Sequence, residues 1–352
     1  MDIQPYLKLM VEKNASDLFF TSGASVKIKI DGNVQSVGKT ELTPELCRAA
    51  ALGIMNDRQR SEFEETMECD FAIALADKSA RFRVNVFRQR GEVGMVLRLV
   101  PVKIPTLAEW ELPEVLARII MARRGMVLMV GATGSGKSTT LAAMLNHRNE
   151  NQAGHILTIE DPIEFSHPNK RSIVSQREIG TDTVSYSRAL KASMREAPDV
   201  VLIGEIRDRE TMEAALELSN TGHLAIATLH ANNANQAMER VVNMFPQDLH
   251  KQLFMDLSLN LRAVISQRLV PDVRGKRCAA IEVMLVTPHI GELILKGELD
   301  EIKQAMTDSG ASGMRTFDDV LYGLYKVGRI TLEEALNNAD SRNSLEAKIN
   351  FG

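Results

Sequence analysis

No stretch of this chain approaches the roughly 20 consecutive apolar residues of a membrane-spanning helix, so direct insertion into a bilayer is not expected. The opening Met1-Asp2-Ile3-Gln4-Pro5-Tyr6-Leu7 lacks a basic segment followed by an apolar one, so no secretory signal is expected. Cysteine is scarce. Cys47, Cys69 and Cys278 lie far apart and form no Cys-x-x-Cys pair, which points to a reduced, cytoplasmic setting. Aromatic residues make up only 5%, offering few platforms for base stacking. A net charge of −4 lacks the basic field of a protein that coats nucleic acid. Internal repeats and low-complexity segments are missing too. What is present, 44% hydrophobic and 25% charged residues, is an ordinary globular composition. At 352 residues the chain is too long for one typical core, so two domains are expected.

Residues 1–100 read as a small α/β domain. Ile3, Leu7, Met10 and Val11 have helical spacing, and Ser16 to Phe20 starts a strand. Val26 to Ile30 alternates, and Asp31-Gly32 supplies a hairpin turn into Asn33-Val34. Thr43 caps a helix with Pro44 in its first position. A second hairpin spans 81–100, with its turn at Arg88 to Glu92. Pro101-Val102-Lys103-Ile104-Pro105 is a stiff extended linker, and 101–106 is taken as the interdomain segment. From 107 to 288 apolar strands alternate with helices, the pattern of a parallel sheet, with strands at 126–130, 156–160, 200–204 and 224–229. The remainder, 289–352, is helical: Thr316-x-x-Asp319 and Thr331-x-x-Glu334 resemble capping boxes. Gly297 divides the apolar positions from Ile290 to Met306 into two short helices.

The chemistry starts at Met126-Val127-Leu128-Met129-Val130, an apolar strand running into Gly131-x-x-x-x-Gly136-Lys137-Ser138. This is a P-loop, and it commits the chain to a nucleoside triphosphate. Glycines 131, 134 and 136 let the backbone curl so that its N–H groups cradle phosphate oxygens. Lys137 sets a cation against the β- and γ-phosphates, and the Ser138 hydroxyl is a ligand for Mg²⁺. The nucleotide-binding set is therefore Gly131, Ala132, Thr133, Gly134, Ser135, Gly136, Lys137, Ser138 and Thr139.

Ligands of open α/β sheets bind at the carboxyl ends of strands, so those ends are the place to look for catalysts. Glu205 follows Val200 to Gly204 and would hold Mg²⁺ through water. A carboxylate of Glu160-Asp161-Pro162-Ile163-Glu164 would orient and deprotonate the attacking water. Solvated loop acids are the plain alternative for either carboxylate taken alone. His223 precedes the 224–229 strand and His230 follows it. A zinc site is disfavoured, because no cysteine or HExxH helix accompanies them. His230 reads as a donor facing the γ-phosphate, or else as a structural histidine at a strand end. Arg81, Arg83, Arg88, Arg90 and Arg98 form a basic cluster. It is either the charged wet face of an antiparallel sheet or the source of an arginine finger for a neighbouring subunit.

Taken together, the chain resembles the secretion ATPase superfamily, specifically the PilT/PilU-type motor ATPases of type IV pili, over essentially its whole length. The likeness rests on four motifs in order: the P-loop, Ile159-Glu160-Asp161-Pro162-Ile163-Glu164, Ile203-Gly204-Glu205-Ile206-Arg207-Asp208, and Thr221-Gly222-His223 through Thr228-Leu229-His230. It implies a PAS-like N-terminal α/β domain, a RecA-like ATPase core and a helical C-terminal region, using ATP and Mg²⁺. It makes Glu164 the catalytic base and Glu205 the metal-side acid. His223 and His230 become members of a nucleotide-sensing box, with His223 on the nucleotide, and Arg83 and Arg98 become arginines that the N-terminal domain contributes to the active site. It also implies a homo-hexamer at the cytoplasmic base of the pilus machine, against an inner-membrane platform protein. Longer assembly and type II secretion ATPases carry further N-terminal domains and a four-cysteine zinc motif that this sequence does not show.

One segment departs from PilT. There a short Ala-Ile-Arg-Asn-Leu-Ile-Arg helix follows a Thr-Pro; here Thr287-Pro288 leads into His289-Ile290-Gly291-Glu292-Leu293-Ile294-Leu295-Lys296. That stretch and the tail Glu334 to Ser341 look like the PilU branch, which implies an accessory role beside a PilT-type ring, with a self-sufficient retraction ATPase as the alternative. Readings from other classes are a RecA-like nucleic-acid motor, which composition disfavours, a small-molecule kinase, which leaves the N-terminal domain idle, and a nucleotide-binding structural adaptor, which turnover would exclude.

Overall fold

A computed structural model describes residues 1–30, 32–77, 79–100, 103–309 and 313–351. Asp31 of the expected hairpin turn and Pro101-Val102 of the expected linker lie outside the described residues. The chain forms two compact units, Met1–Lys103 with Glu164–Ser166, and Ile104–Ile163 with His167–Gly352.

The first unit is built on β1 (Asp17–Phe20), β2 (Ser25–Ile30), β3 (Asn33–Glu41), β4 (Glu68–Ala74), β5 (Arg81–Gln89) and β6 (Glu92–Val100). Their order is β3-β2-β1-β6-β5-β4, and every neighbouring pair is antiparallel. Alternation decides the faces: β5 buries Phe82, Val84 and Val86, while Arg81 and Arg83 stay partly exposed. Against the apolar face pack Leu7 and Met10 of the helix Gln4–Glu12, Ala50 and Ala51 of Pro44–Ile54, and Phe63 of Asp57–Thr66. Thr43 caps the second of these helices by accepting from Leu46 N at 3.3 Å.

The second unit holds β7 (Gly125–Val130), β8 (Gly154–Glu160), β9 (Ser172–Glu178), β10 (Val200–Ile203), β11 (Leu224–Leu229), β12 (Leu261–Pro271) and β13 (Arg277–Leu285). The order is β13-β12-β7-β11-β10-β8-β9, parallel throughout except for the β12–β13 pair. Parallel strands are covered on both faces, which is why β7 and β10 are unbroken apolar runs. Met126, Leu128 and Val130 join one core with the helices Tyr186–Ser193 and Arg209–Asn220. Val127 and Met129 join a second with Glu114–Ile120 and Lys137–Asn151. A third core seats Phe317, Leu321, Ala335 and Leu345 of the C-terminal helices on Val270, Cys278 and Ala280 of the β12–β13 hairpin.

The C-terminal helices start where their caps predict. Thr316 and Asp319 make a reciprocal capping box, and Thr331 accepts from Glu334 N at 3.2 Å. Gly297, at φ +76°, closes the helix Pro288–Lys296, and Ile302–Asp308 follows. Among the described residues no helix is long and apolar enough to cross a membrane.

Candidate nucleotide site

The loop between β7 and the helix Lys137–Asn151 has the curl its glycines permit. Gly131 sits at φ +151°, where a Cβ would lie 2.5 Å from Gln267 O and 2.6 Å from Ser135 Oγ. Lys137 Nζ arches back to donate to Gly131 O at 2.7 Å and Ala132 O at 2.9 Å. Ala132, Thr133 and Gly134 are exposed, and Ser138 and Thr139 are half-buried on the first helical turn.

The brace of this loop comes from β12, a strand that neighbours β7. Gln267 is 1% exposed; its Nε2 donates to Ser135 O at 2.9 Å and its Oε1 accepts from Thr140 Oγ1 at 2.7 Å. Sequence reasoning missed it. The signal was a Ser266-Gln267 pair interrupting an apolar strand, since a buried amide must find partners.

Strand order assembles the rest. β11 lies between β7 and β10, and Leu229 pairs with Val130 while Ala227 pairs with Ile203. The residues that follow these strands therefore meet at one edge of the sheet. His230 Nε2 lies 3.0 Å from Glu205 Oε1, and Arg207 Nε donates to Glu205 Oε2 at 2.7 Å. This ion pair raises the Arg207 pKa further. Thr228 Oγ1 donates to Gly204 O and Ile206 N to Thr228 O, which ties the Glu205 turn to β11. Beside it, burial and then the neighbouring Asp161, Glu160 and Glu205 push the Tyr186 phenol up, so it stays neutral. A cavity of about 570 Å³ opens here, lined by Gly131, Thr133, His230, Asn232, Gln236 and Arg240 among others.

Ser135 Oγ is buried with no hydrogen-bond partner among the described residues, inside a loop that can turn its N–H groups inward. That orphaned donor and the Lys137 ammonium fit a phosphate-bearing ligand. The donors expected for a cation, the Ser138 hydroxyl and the Glu205 carboxylate, are both hard oxygens, and Glu205 is here engaged by His230 and Arg207. Such a set suits Mg²⁺, which takes few protein ligands and fills its shell with water and phosphate. Among the described residues no group of three or more His, Cys, Asp or Glu is placed to hold a metal ion.

His223 lies at the opposite end of β11 from His230 within the chain. It precedes β11, whereas His230 follows it, so the strand's length, about 20 Å, separates His223 from the P-loop edge. Its Nδ1 instead lies 3.2 Å from Leu218 O and 3.1 Å from Thr221 Oγ1, at the end of the helix Arg209–Asn220. In the acidic box, Glu160 accepts from Thr158 Oγ1 at 2.6 Å and Gln176 Nε2 at 3.2 Å. Glu164 is exposed and groups with the first unit. Arg83 and Arg98 also belong to that unit, as direct partners across β5 and β6. Arg98 Nε donates to the buried Asp17 at 2.8 Å, so Asp17, Arg98 and Arg83 form one polar row across β1, β6 and β5.

Residues 1–316 match the family model of type II/IV secretion system proteins. The chain is 54% identical to the type IV pilus ATPase PilU of Pseudomonas aeruginosa, covering 100% of this chain and 92% of that protein. It is 43% identical to the type IV pilus retraction ATPase PilT of the same organism, covering 96% and 98% respectively. Among solved structures, the pilus retraction motor PilT with bound ADP superposes with a TM-score of 0.91 at 40% identity, over 98% of this chain and 99% of that one. The Legionella pneumophila ATPase DotB superposes with a TM-score of 0.83 at 26% identity, covering 94% of each chain.

Proposed function

The chain belongs to the type II/IV secretion system protein family, and from that premise we propose that it is a hexameric ATPase motor powering type IV pilus retraction and twitching motility. The observation that carries this reading is the P-loop, His230 and Glu205 gathered at the carboxyl ends of β7, β11 and β10 in a chain that matches pilus ATPases along its length. Lys137 and the loop N–H groups hold the β- and γ-phosphates. Ser138 and Glu205 would hold Mg²⁺, which would supply positive charge to offset that of the phosphates. Glu164 takes the proton of the attacking water. His230, bonded to Glu205, registers the presence of the γ-phosphate. Arg83 and Arg98 of one protomer serve the site of its neighbour, where a guanidinium stabilises charge built up in the transition state.

The motor works at the cytoplasmic face of the inner membrane, on a platform protein, as an accessory to a PilT-type ring. This finer reading is supported by the His289 to Lys296 segment, where only Lys296 supplies a cation near the positions of the PilT arginines. Pilus retraction in cells that carry this protein and no PilT paralogue tests it. No retraction is expected there despite ATPase activity of the purified ring, and normal retraction would refute the accessory role. Absence of turnover, with or without a PilT-type partner, would refute the motor itself.

A further inference from the structure

The loop that follows His230 is held from the far side by the C-terminal segment. Arg268 is the neighbour of Gln267 on β12, and the two side chains leave opposite faces of the strand. Gln267 braces the P-loop. Arg268 donates through Nη2 to Asn232 O at 3.2 Å and through Nη1 to Asn338 O at 2.5 Å. It pairs with Asp340 Oδ1 at 2.5 Å and lies 3.9 Å over the Phe317 ring. Asp340 is 6% exposed at its side chain, and its other oxygen accepts from Asn233 Nδ2 at 3.0 Å. Asn233 in turn accepts from Gln236 N at 3.0 Å, capping the helix Ala234–Asn243 that lines the nucleotide cavity. Asp318 accepts from Asp340 N at 2.9 Å and so fixes the backbone of the segment between the last two helices. Lys303 Nζ, 3.7 Å from Asp340 Oδ2, completes the charged surroundings.

We propose that Asp340 is a positioning residue of the nucleotide site: through Arg268 and Asn233 it clamps residues 232–233, two and three positions beyond His230, to the C-terminal segment 338–341. Two consequences follow. The orientation of His230 toward Glu205 depends on a residue of the C-terminal region. In return, nucleotide bound at His230 changes how firmly 338–341 and the helix Arg342–Phe351 are held, because coupling between two sites is reciprocal. The nucleotide state is thereby exported to the C-terminal region. The proposal rests on the reading of Glu205 and His230 as part of the ATPase site.

Hydrogen exchange of residues 338–351 in the full-length ring, without nucleotide, with ADP and with a non-hydrolysable ATP analogue, tests it, with nucleotide binding measured on the same samples. The wild-type protein is expected to exchange this segment at different rates in the three states. Asp340→Ala should remove that difference and lower kcat about tenfold while leaving KM within about threefold, a magnitude ordinary for intersite coupling. Wild-type exchange that is identical in all three states, with nucleotide bound, overturns the proposal alone, and does so even if Asp340→Ala fails to fold. A variant that keeps both kcat and the nucleotide-dependent exchange also overturns it. No nucleotide binding by the wild-type protein would overturn the ATPase reading and this inference with it.

Discussion

Replacing Gln267 by leucine should weaken nucleotide binding about 30-fold without touching any residue that reaches the phosphates. Leucine fills similar space in the buried strand, so the change chiefly removes hydrogen bonds. Two are lost, Gln267 Nε2 to Ser135 O at 2.9 Å and Thr140 Oγ1 to Gln267 Oε1 at 2.7 Å. Each contributes about 1 kcal/mol net, so the curled loop loses about 2 kcal/mol relative to looser conformations. If only the curled loop binds phosphate and looser conformations already dominate the free protein, the whole of that loss appears in affinity, and about 1.4 kcal/mol is tenfold in Kd. Thr140→Val removes one of the two bonds and should weaken binding about fivefold by the same arithmetic. Equilibrium binding of a fluorescent ADP analogue, with circular dichroism to confirm folding, measures both variants. A Kd within about threefold of wild type for folded Gln267→Leu would refute the argument that this brace pre-organises the loop.

Lys137→Ala should abolish tight ATP binding, whereas Glu164→Gln should bind ATP and fail to split it; equal loss of binding in both would contradict the division of roles. Arg98→Ala should lower turnover more than affinity, and mixing it with Glu164→Gln protein should restore activity. Loss that is strictly additive at all mixing ratios would exclude an arginine supplied by the neighbouring protomer. Glu282 is buried and accepts from Ala234 N at 2.8 Å and Ser266 Oγ at 2.9 Å; burial pushes its carboxyl from the ordinary 4.5 up to about 7. The folded state then keeps a proton that the unfolded chain has released, so this stabilisation is complete below 4.5 and is lost as pH rises through 7. Against Glu282→Gln, the wild-type protein should lose about 3 kcal/mol of stability across that window in denaturant titrations, and parallel pH profiles would refute the assignment.

Features that a few adjacent residues decide can be read directly along the chain. The P-loop was legible because glycines 131, 134 and 136 govern local backbone conformation and Lys137 bonds back within six residues. The strands at 126–130, 200–204 and 224–229 were legible because strands of a parallel sheet are covered on both faces and read as apolar runs. Caps at Thr43, Thr316 and Thr331 bond three residues ahead, and the Arg81–Phe82–Arg83 alternation assigns its own faces. β9 was not legible, being an edge strand with a polar sequence, and β12 was not, because it follows the helix His250–Asn260 without a turn signal.

Which distant side chains meet depends on the packed fold. Gln267 reaches Ser135 across 132 positions and Arg268 reaches Asp340 across 72; the polar Ser266-Gln267 pair in an apolar strand says that partners must exist, but nothing local says which. Strand order had to be known before Glu205 and His230 could be joined, since β11 must lie between β7 and β10 to carry His230 there. The same geometry sets His223 apart from His230 within the chain, because a residue before a parallel strand and one after it lie at opposite edges of the sheet. Local sequence fixes backbone shape and burial pattern within a few residues; a site gathered from the ends of several strands depends on the register and order in which they pack.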